Sequence, residues 1–80
     1  MKDTLQYIVT QIVEHPSDVT IEEKTDTQRT VFVIHTHPDD TGRVIGKQGR
    51  IISALRDIIK LMATMKNTYV DVTIAEKPLV

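Results

Sequence analysis

The sequence predicts a small α+β domain with the element order helix, strand, strand, short helix, long helix, strand. Two segments carry apolar residues every three or four positions, as a helix with one buried face does, and two shorter segments alternate apolar with polar residues, as a half-buried strand does. One more short segment is apolar at successive positions. Eighty residues suffice for one small core and are too few for two. We therefore expect a single domain over residues 1–80, with a short flexible tail at about 76–80.

The first half of the chain is predicted to form one helix and two strands. The helix runs from Asp3 to Glu14, is capped by Asp3 or Thr4 and is ended by Pro16. Its apolar stripe consists of Leu5, Ile8, Val9, Ile12 and Val13. The first strand covers residues 18–24. The second covers residues 30–36 and is apolar on both faces, which is typical of a central strand or of a strand that offers one face to a ligand.

The second half is predicted to form a short helix ending near residue 45, a long helix over about 50–65 and a third strand over 69–75. The long helix packs on the sheet through a stripe of apolar residues: Ile51, Ile52, Leu55, Ile58, Ile59, Met62 and Met65. We interpret the two methionines of this stripe as core filler, since methionine at helical spacing among aliphatic residues usually fills a core.

The composition favours a binding module over an enzyme. The chain has no cysteine, which excludes disulfides, thiolate zinc sites and a cysteine nucleophile. A domain of this size leaves no room for a cleft between two lobes. The sequence shows neither an apolar run of membrane-spanning length nor a secretory leader, so we expect a cytoplasmic protein without a membrane segment.

The distribution of charge points to an anionic partner, although the net charge is −1. Residues 1–42 carry three basic and eight acidic side chains, whereas residues 43–60 carry five basic side chains and one acidic one. Positive charge is thus concentrated where the long helix begins, as binding of a polyanion requires. The alternative is a solvated helix face that happens to be basic.

The segment Gly46-Lys47-Gln48-Gly49 lies at the centre of this basic region and is predicted to hold a phosphate backbone. Glycine adopts positive φ and keeps no side chain between the backbone and a ligand. The long helix starts directly afterwards, so its free N–H groups and positive dipole end favour an anion there, and Arg43 and Arg50 add charge. The alternative is a plain connector, in which Gly46 ends one helix and Gly49 leads into the next.

The histidines and aspartates after the second strand allow two interpretations. His35 and His37 share one face of an extended segment, and together with Asp39 they can be drawn as a metal site. With Asp40 added, the same residues can be drawn as the centre of a metal-dependent enzyme. The simpler interpretation is a strand end and a proline turn, with Asp39 or Asp40 capping the short helix. We adopt the simpler one and predict no metal, no cofactor and no catalytic residue. His15, before Pro16, is interpreted as a helix-end residue.

The element order and the run Val44-Ile45-Gly46-Lys47-Gln48-Gly49-Arg50-Ile51-Ile52 resemble a KH domain of the prokaryotic type II. The resemblance covers nearly the whole chain and is strongest to the small stand-alone bacterial KhpA-like (YlqC) family. It implies a three-stranded mixed sheet with three helices on one face. It also implies that single-stranded RNA or DNA lies in a groove beside the G-x-x-G loop, which in this module clamps about four nucleotides of backbone.

Carried over position by position, the resemblance also implies roles for individual residues. Gly46, Lys47, Gln48 and Gly49 would contact phosphates, with Arg50 supporting them. The helix wall of the groove would be formed by Val44, Ile45 and Ile52. The opposite rim would be formed by Val33, Ile34 and His35.

The resemblance implies partners as well. It suggests an RNA-binding regulator or chaperone-like module that forms a homodimer, or a heterodimer with a second RNA-binding protein of the KhpB/Jag type. The alternative is a KH-fold scaffold for protein contacts, with nucleic-acid binding incidental. Sequence alone does not identify the surface that pairs.

Overall fold

Three strands and three helices, in the order α-β-β-α-α-β, make up the part of the chain that the structure, a computed structural model, describes, residues 1–75. The predicted tail at 76–80 lies outside the described residues. Three short 3-10 turns, Pro16–Asp18, Pro38–Asp40 and Lys47–Gly49, connect the main elements. The main elements are α1 Lys2–Ile12, β1 Thr20–Thr25, β2 Thr30–His35, α2 Thr41–Ile45, α3 Arg50–Met65 and β3 Val70–Ile74.

The sheet is mixed and has the strand order β1-β2-β3. β1 and β2 form an antiparallel pair in which Ile21 lies opposite Ile34. β2 and β3 are parallel, with Phe32 opposite Val72, and the crossover that a parallel pair requires contains α2 and α3. β2 is therefore the central strand of the sheet.

The core lies between one face of the sheet and the three helices. The inward side chains of the strands alternate with outward ones, so Phe32 and Ile34 of β2 are buried while Val33 between them is only half-buried. The helices contribute Leu5 and Val9 from α1, Val44 from α2, and Leu55, Ile59 and Ala63 from α3. All three helices therefore cover the same face, and the other face of the sheet stays open.

Two predictions about the helices need correction. α1 begins at Lys2 with Met1 at the cap position, so neither Asp3 nor Thr4 caps it. Asp3 instead lies in the first turn, where its charge favours the positive helix end. Ile51, Ile58 and Met65, expected in the core, are exposed, because the apolar arc of α3 is wider than the sheet can cover. None of the helices within residues 1–75 has the length and apolar run that crossing a membrane requires.

Candidate functional site

The chain turns sharply between α2 and α3, and we call the residues from Gly46 to Arg50 the glycine corner. Gly46, Gln48 and Gly49 all have left-handed φ angles, of 77°, 58° and 73°. The turn is closed by short-range backbone bonds: the Gly46 N–H donates to Gly42 O at 2.9 Å and the Gly49 N–H donates to Gly46 O at 3.1 Å. The glycine corner is therefore a defined structure and not a loose connector.

The two glycines of the corner are required for different reasons. A Cβ added to Gly46 would lie 2.5 Å from Cγ1 of Ile51, far inside van der Waals contact. A Cβ added to Gly49 would meet nothing within 4 Å, so Gly49 is needed only for its positive φ. The close approach of Ile51 to Gly46 locks the first turn of α3 against the end of α2.

Three polar side chains of the corner face solvent: Lys47, Gln48 and Arg50. Lys47 and Arg50 form no ion pair with any acidic side chain of residues 1–75. The contact between Arg50 and Gln48 is a long one, 3.4 Å from Arg50 Nη2 to Gln48 Oε1. All three side chains stand at the N-terminus of a 16-residue helix whose cap residue is Gly49, where the helix dipole is positive. The corner thus combines two cations that have no acidic partner in the described residues with exposed backbone.

Arg43, predicted to add charge to the corner, is engaged elsewhere. Its Nη2 donates to Glu14 Oε1 at 2.6 Å, and its Nε lies 3.5 Å from Asp40 Oδ1. Its charge is therefore largely matched by two carboxylates.

The predicted helix wall divides into surface and core. Val44 is fully buried beneath the corner, Ile52 is half-buried and Ile45 is 37% exposed. Ile51, which sequence reasoning assigned to the core, is also 37% exposed. Ile45 and Ile51 therefore offer aliphatic surface beside the corner. The sequence feature that could have indicated the exposure of Ile51 is its heptad spacing from Ile58, which is exposed to a similar degree.

The predicted opposite rim, like the helix wall, divides between core and surface. Ile34 is fully buried in the core, so it supports the sheet and offers no contact surface. Val33 and His35 flank it on the open face of the sheet, away from the helices. His35 Nε2 is 3.0 Å from Glu22 Oε1, and its hydrogen bond lowers the pKa of Glu22.

A buried carboxylate fixes α2 and hence the corner in place. Asp40, 1% exposed, accepts the backbone N–H of Glu14 at 3.0 Å and that of His15 at 2.9 Å, and lies 3.0 Å from the His15 Nδ1 atom. We call Asp40 with Glu14, His15 and Arg43 the Asp40 joint. Burial alone would raise the pKa of Asp40, but the hydrogen bonds from Glu14 and His15 outweigh it and hold this pKa below its ordinary value.

Asp40 occupies the N-cap position of α2, as predicted, but its side chain makes no cap hydrogen bond to that helix. The carboxylate instead ties the turn after α1 to the start of α2. No local signal could reveal this role, because its partners lie 25 and 26 residues away in the sequence.

The histidines are also grouped differently from the pattern drawn from the sequence. His35 turns to Glu22, whereas His37 stacks on His15 with ring centroids 4.0 Å apart and an angle of 14° between the ring planes. His37 Nδ1 accepts the backbone N–H of Asp39 at 3.1 Å. In the folded chain the neighbour of His37 is therefore His15 and not His35.

The fold and the corner together define a class of protein. A mixed three-stranded sheet with three helices on one face, in the order α-β-β-α-α-β, and a G-x-x-G turn between α2 and α3 make up a type II KH domain. A comparison with family models identifies one family within this class. The chain belongs to the KhpA/KhpB KH domain family, whose model matches residues 2–74.

Curated relatives align along almost the whole chain. The RNA-binding protein KhpA of Halalkalibacterium halodurans is 38% identical over 76 residues, covering 95% of this chain and 100% of the relative. The protein of the same name from Clostridium acetobutylicum is 40% identical over 74 residues, covering 92% and 99%. That of Chlamydia caviae is 36% identical over 76 residues, covering 95% and 97%. The comparison with solved structures gave no match.

Proposed function

We propose that this protein binds single-stranded RNA at the glycine corner and is not an enzyme. The observation that carries the proposal is the pair of cations without acidic partners in residues 1–75, Lys47 and Arg50, beside exposed backbone at the positive end of α3. Phosphate groups match this combination, because they accept N–H bonds and carry full negative charge. The curated relatives support RNA as the polyanion, since each is named an RNA-binding protein.

Each residue of the site has a proposed role. Gly46 and Gly49 let phosphates approach the turn closely because they carry no side chain. The side chains of Lys47 and Gln48 hold the phosphates, and Arg50 adds charge. Bases lie on the aliphatic surface of Ile45, Ile51 and Ile52. Val44 and Ile34 support this surface from the core, and Arg43 acts through the Asp40 joint. Val33 and His35 contact only a longer ligand that continues onto the open face of the sheet.

Aromatic stacking contributes little to the proposed binding. The chain has only three aromatic residues of the Phe, Trp and Tyr type; Phe32 is buried and Tyr69 follows the far end of α3. Bases therefore meet aliphatic surface, in contrast to the stacking platforms of RRM and OB-fold proteins. With about two to four phosphates neutralised, we expect weak binding that depends on salt.

A charge-reversal variant tests the proposal. Lys47→Asp combined with Gln48→Asp places like charge against phosphate, and we expect loss of measurable binding to a labelled single-stranded RNA. Lys24→Asp combined with Gln28→Asp is the matched control, because both side chains are exposed and lie towards the β1–β2 turn. Gln28 lies beside Asn67 and Thr68 at the C-terminal end of α3, and the corner is at the other end of this helix, which is about 24 Å long. Equal binding by the two folded double variants would exclude the corner.

Pairing with a second copy of the chain is a further proposed function, favoured by the exposed side of α3. Ile51, Ala54, Ile58, Leu61 and Met65 recur at heptad spacing, the pattern by which helices pair. Ile58, Leu61 and Met65 are 41%, 65% and 79% exposed. Such a row of exposed apolar residues is unusual for a monomer.

A second copy fits this row because the row is self-complementary. In an antiparallel arrangement centred on Ile58, Ile51 of each copy lies opposite Met65 of the other. Pairing would also link two glycine corners, which raises affinity for one RNA strand through effective concentration.

The mass in solution tests this pairing. Leu61→Glu buries a charge in the proposed interface, so we expect a monomer where the unchanged chain is a dimer. Tyr7→Glu, at a residue that is 67% exposed on α1, is the matched control and should stay dimeric. A monomeric unchanged chain at high concentration would refute self-pairing, and a complex formed only with a KhpB/Jag-type protein would assign the surface to that partner.

A further inference from the structure

Folding brings together two histidines and an aspartate that the sequence separates. His15 lies in the turn after α1, whereas His37 and Asp39 lie in the turn before α2. One ligand atom can be chosen from each of these three residues so that all three atoms lie within 4.8 Å of one another. The side chains of His15, His37 and Asp39 are all partly exposed, so an ion can reach them from solvent.

His15 is held as a metal-binding histidine is usually held. Its Nδ1 lies 3.0 Å from Oδ2 of the buried Asp40, so Nδ1 carries the proton that this carboxylate accepts. The Nε2 atom is then left with its lone pair available. A carboxylate on the far nitrogen of a ligating histidine is a recurrent outer-shell arrangement, since it fixes both the ring orientation and the tautomer.

His37 and Asp39 offer the second and third ligand atoms. The Nδ1 of His37 accepts the backbone N–H of Asp39 at 3.1 Å, so it also carries a lone pair. The Oδ2 of Asp39 is 3.7 Å from this nitrogen, so a small side-chain movement brings the two atoms to the separation of roughly 3.3 Å that two ligands of one tetrahedral Zn²⁺ have. A bound ion would take the place of the N–H as the partner of Nδ1.

We propose that His15, His37 and Asp39 form a binding site for a divalent transition-metal ion such as Zn²⁺. Two imidazoles and one carboxylate suit Zn²⁺, and water completes the coordination. The ion would join the turn after α1 to the turn before α2, on the same side as the Asp40 joint. The local charge favours a cation, because three acidic side chains lie nearby, Glu14, Asp39 and Asp40, and only one basic side chain among the described residues around them, Arg43. This site is independent of RNA binding.

Zinc titration of the untagged full chain tests the site. The chain has three histidines, and His35 lies apart on Glu22, so His35→Gln is a matched control. We expect one Zn²⁺ per chain in competition with a chromophoric chelator, and an affinity loss of at least roughly tenfold in His37→Gln and in Asp39→Asn. The ring resonances of His15 and His37, and not those of His35, should move on addition of Zn²⁺.

The variants are chosen so that misfolding cannot be mistaken for loss of the site. His15 contributes to the Asp40 joint, so the decisive changes are at His37 and at Asp39, whose side chain is exposed; circular dichroism verifies their folding. The proposal is overturned by an absence of saturable binding up to about 1 mM Zn²⁺, by equal affinity of the folded His37→Gln variant, or by an equal loss in His35→Gln. One Zn²⁺ per two chains would also overturn it, by placing the site between copies.

Discussion

The glycine corner and the Asp40 joint are both turns that carry charged side chains, and they use charge in opposite ways. At the joint, the buried carboxylate of Asp40 is fully hydrogen-bonded by groups distant in sequence. At the corner, Lys47 and Arg50 are exposed and have no acidic partner within residues 1–75. A buried charge must be paired to be tolerated, whereas an exposed cation contributes little to stability. The difference indicates that the joint holds the fold and the corner is left for a ligand.

The strongest test of the Asp40 joint is removal of the Asp40 carboxylate. Asp40→Ala leaves the N–H groups of Glu14 and His15 without an acceptor and Arg43 without one of its two carboxylates. We expect this variant to lose more stability than any other single substitution in the two turns, roughly 15 °C in Tm. Thermal unfolding measures it, and Asp39→Ala at the exposed neighbour is the control. A Tm within about 2 °C of the unchanged chain would mean that the joint does not hold the turns together.

The glycines of the corner can be compared with a third glycine nearby. Gly46→Ala combines a strained φ with overlap on Ile51, so we expect a loss of roughly 10 °C in Tm. Gly49→Ala adds strain without overlap and should cost about 5 °C. Gly42→Ala, in α2 with open space and an ordinary φ, should be neutral or slightly stabilising. Equal losses at Gly46 and Gly49 would show that the approach of Ile51 is unimportant.

The pH dependence of Tm should also distinguish the Asp40 joint from the glycine corner. The pKa of Asp40 is lowered by folding, so its contribution to stability is complete above the ordinary value of 3.8 and is lost as the pH falls through the lower folded value. We expect Tm to be nearly constant from about pH 7 to 5 and to fall below about pH 4.

Part of the fall in acid should survive in Asp40→Asn, because folding also lowers the pKa of Glu22 and that of Asp26. Asp39→Asn should keep the full dependence. An unchanged acid profile in the folded Asp40→Asn variant would contradict the assignment.

The smallest expected effect is on the salt dependence of RNA binding. It distinguishes a cation held in ion pairs from one that has no acidic partner within residues 1–75. RNA affinity should fall by roughly tenfold between about 50 and 200 mM salt. Lys47→Ala removes a charge that has no acidic partner within residues 1–75 and should reduce the logarithmic salt slope by about 0.7. Arg43→Ala removes a charge already matched by Glu14 and Asp40 and should leave the slope unchanged. Titrations at several salt concentrations measure both, and equal slopes for the two variants would show that ion pairing at the joint does not matter for binding.

Local patterns predicted most of the fold. The α+β class, the element order and the start of α3 at Arg50 all follow from hydrophobic periodicity and from the position of the glycines, and the structure confirms them. The prediction of one buried apolar stripe on α3 was wrong at Ile51, Ile58 and Met65, because the sequence shows which positions are apolar but not how wide a face the sheet covers. The assignment of site residues to Val33 and His35 stays a prediction.

The sequence by itself determined where the chain turns and where its positive charge gathers, because the residues involved are neighbours along the chain and their backbone preferences act locally. Only the tertiary structure decided that Arg43 is matched while Lys47 has no acidic partner within residues 1–75, that Asp40 joins two turns, and that His15 rather than His35 meets His37. These pairings join residues far apart in sequence, and a buried carboxylate selects its partners by the hydrogen bonds available in the folded core, which no local pattern encodes.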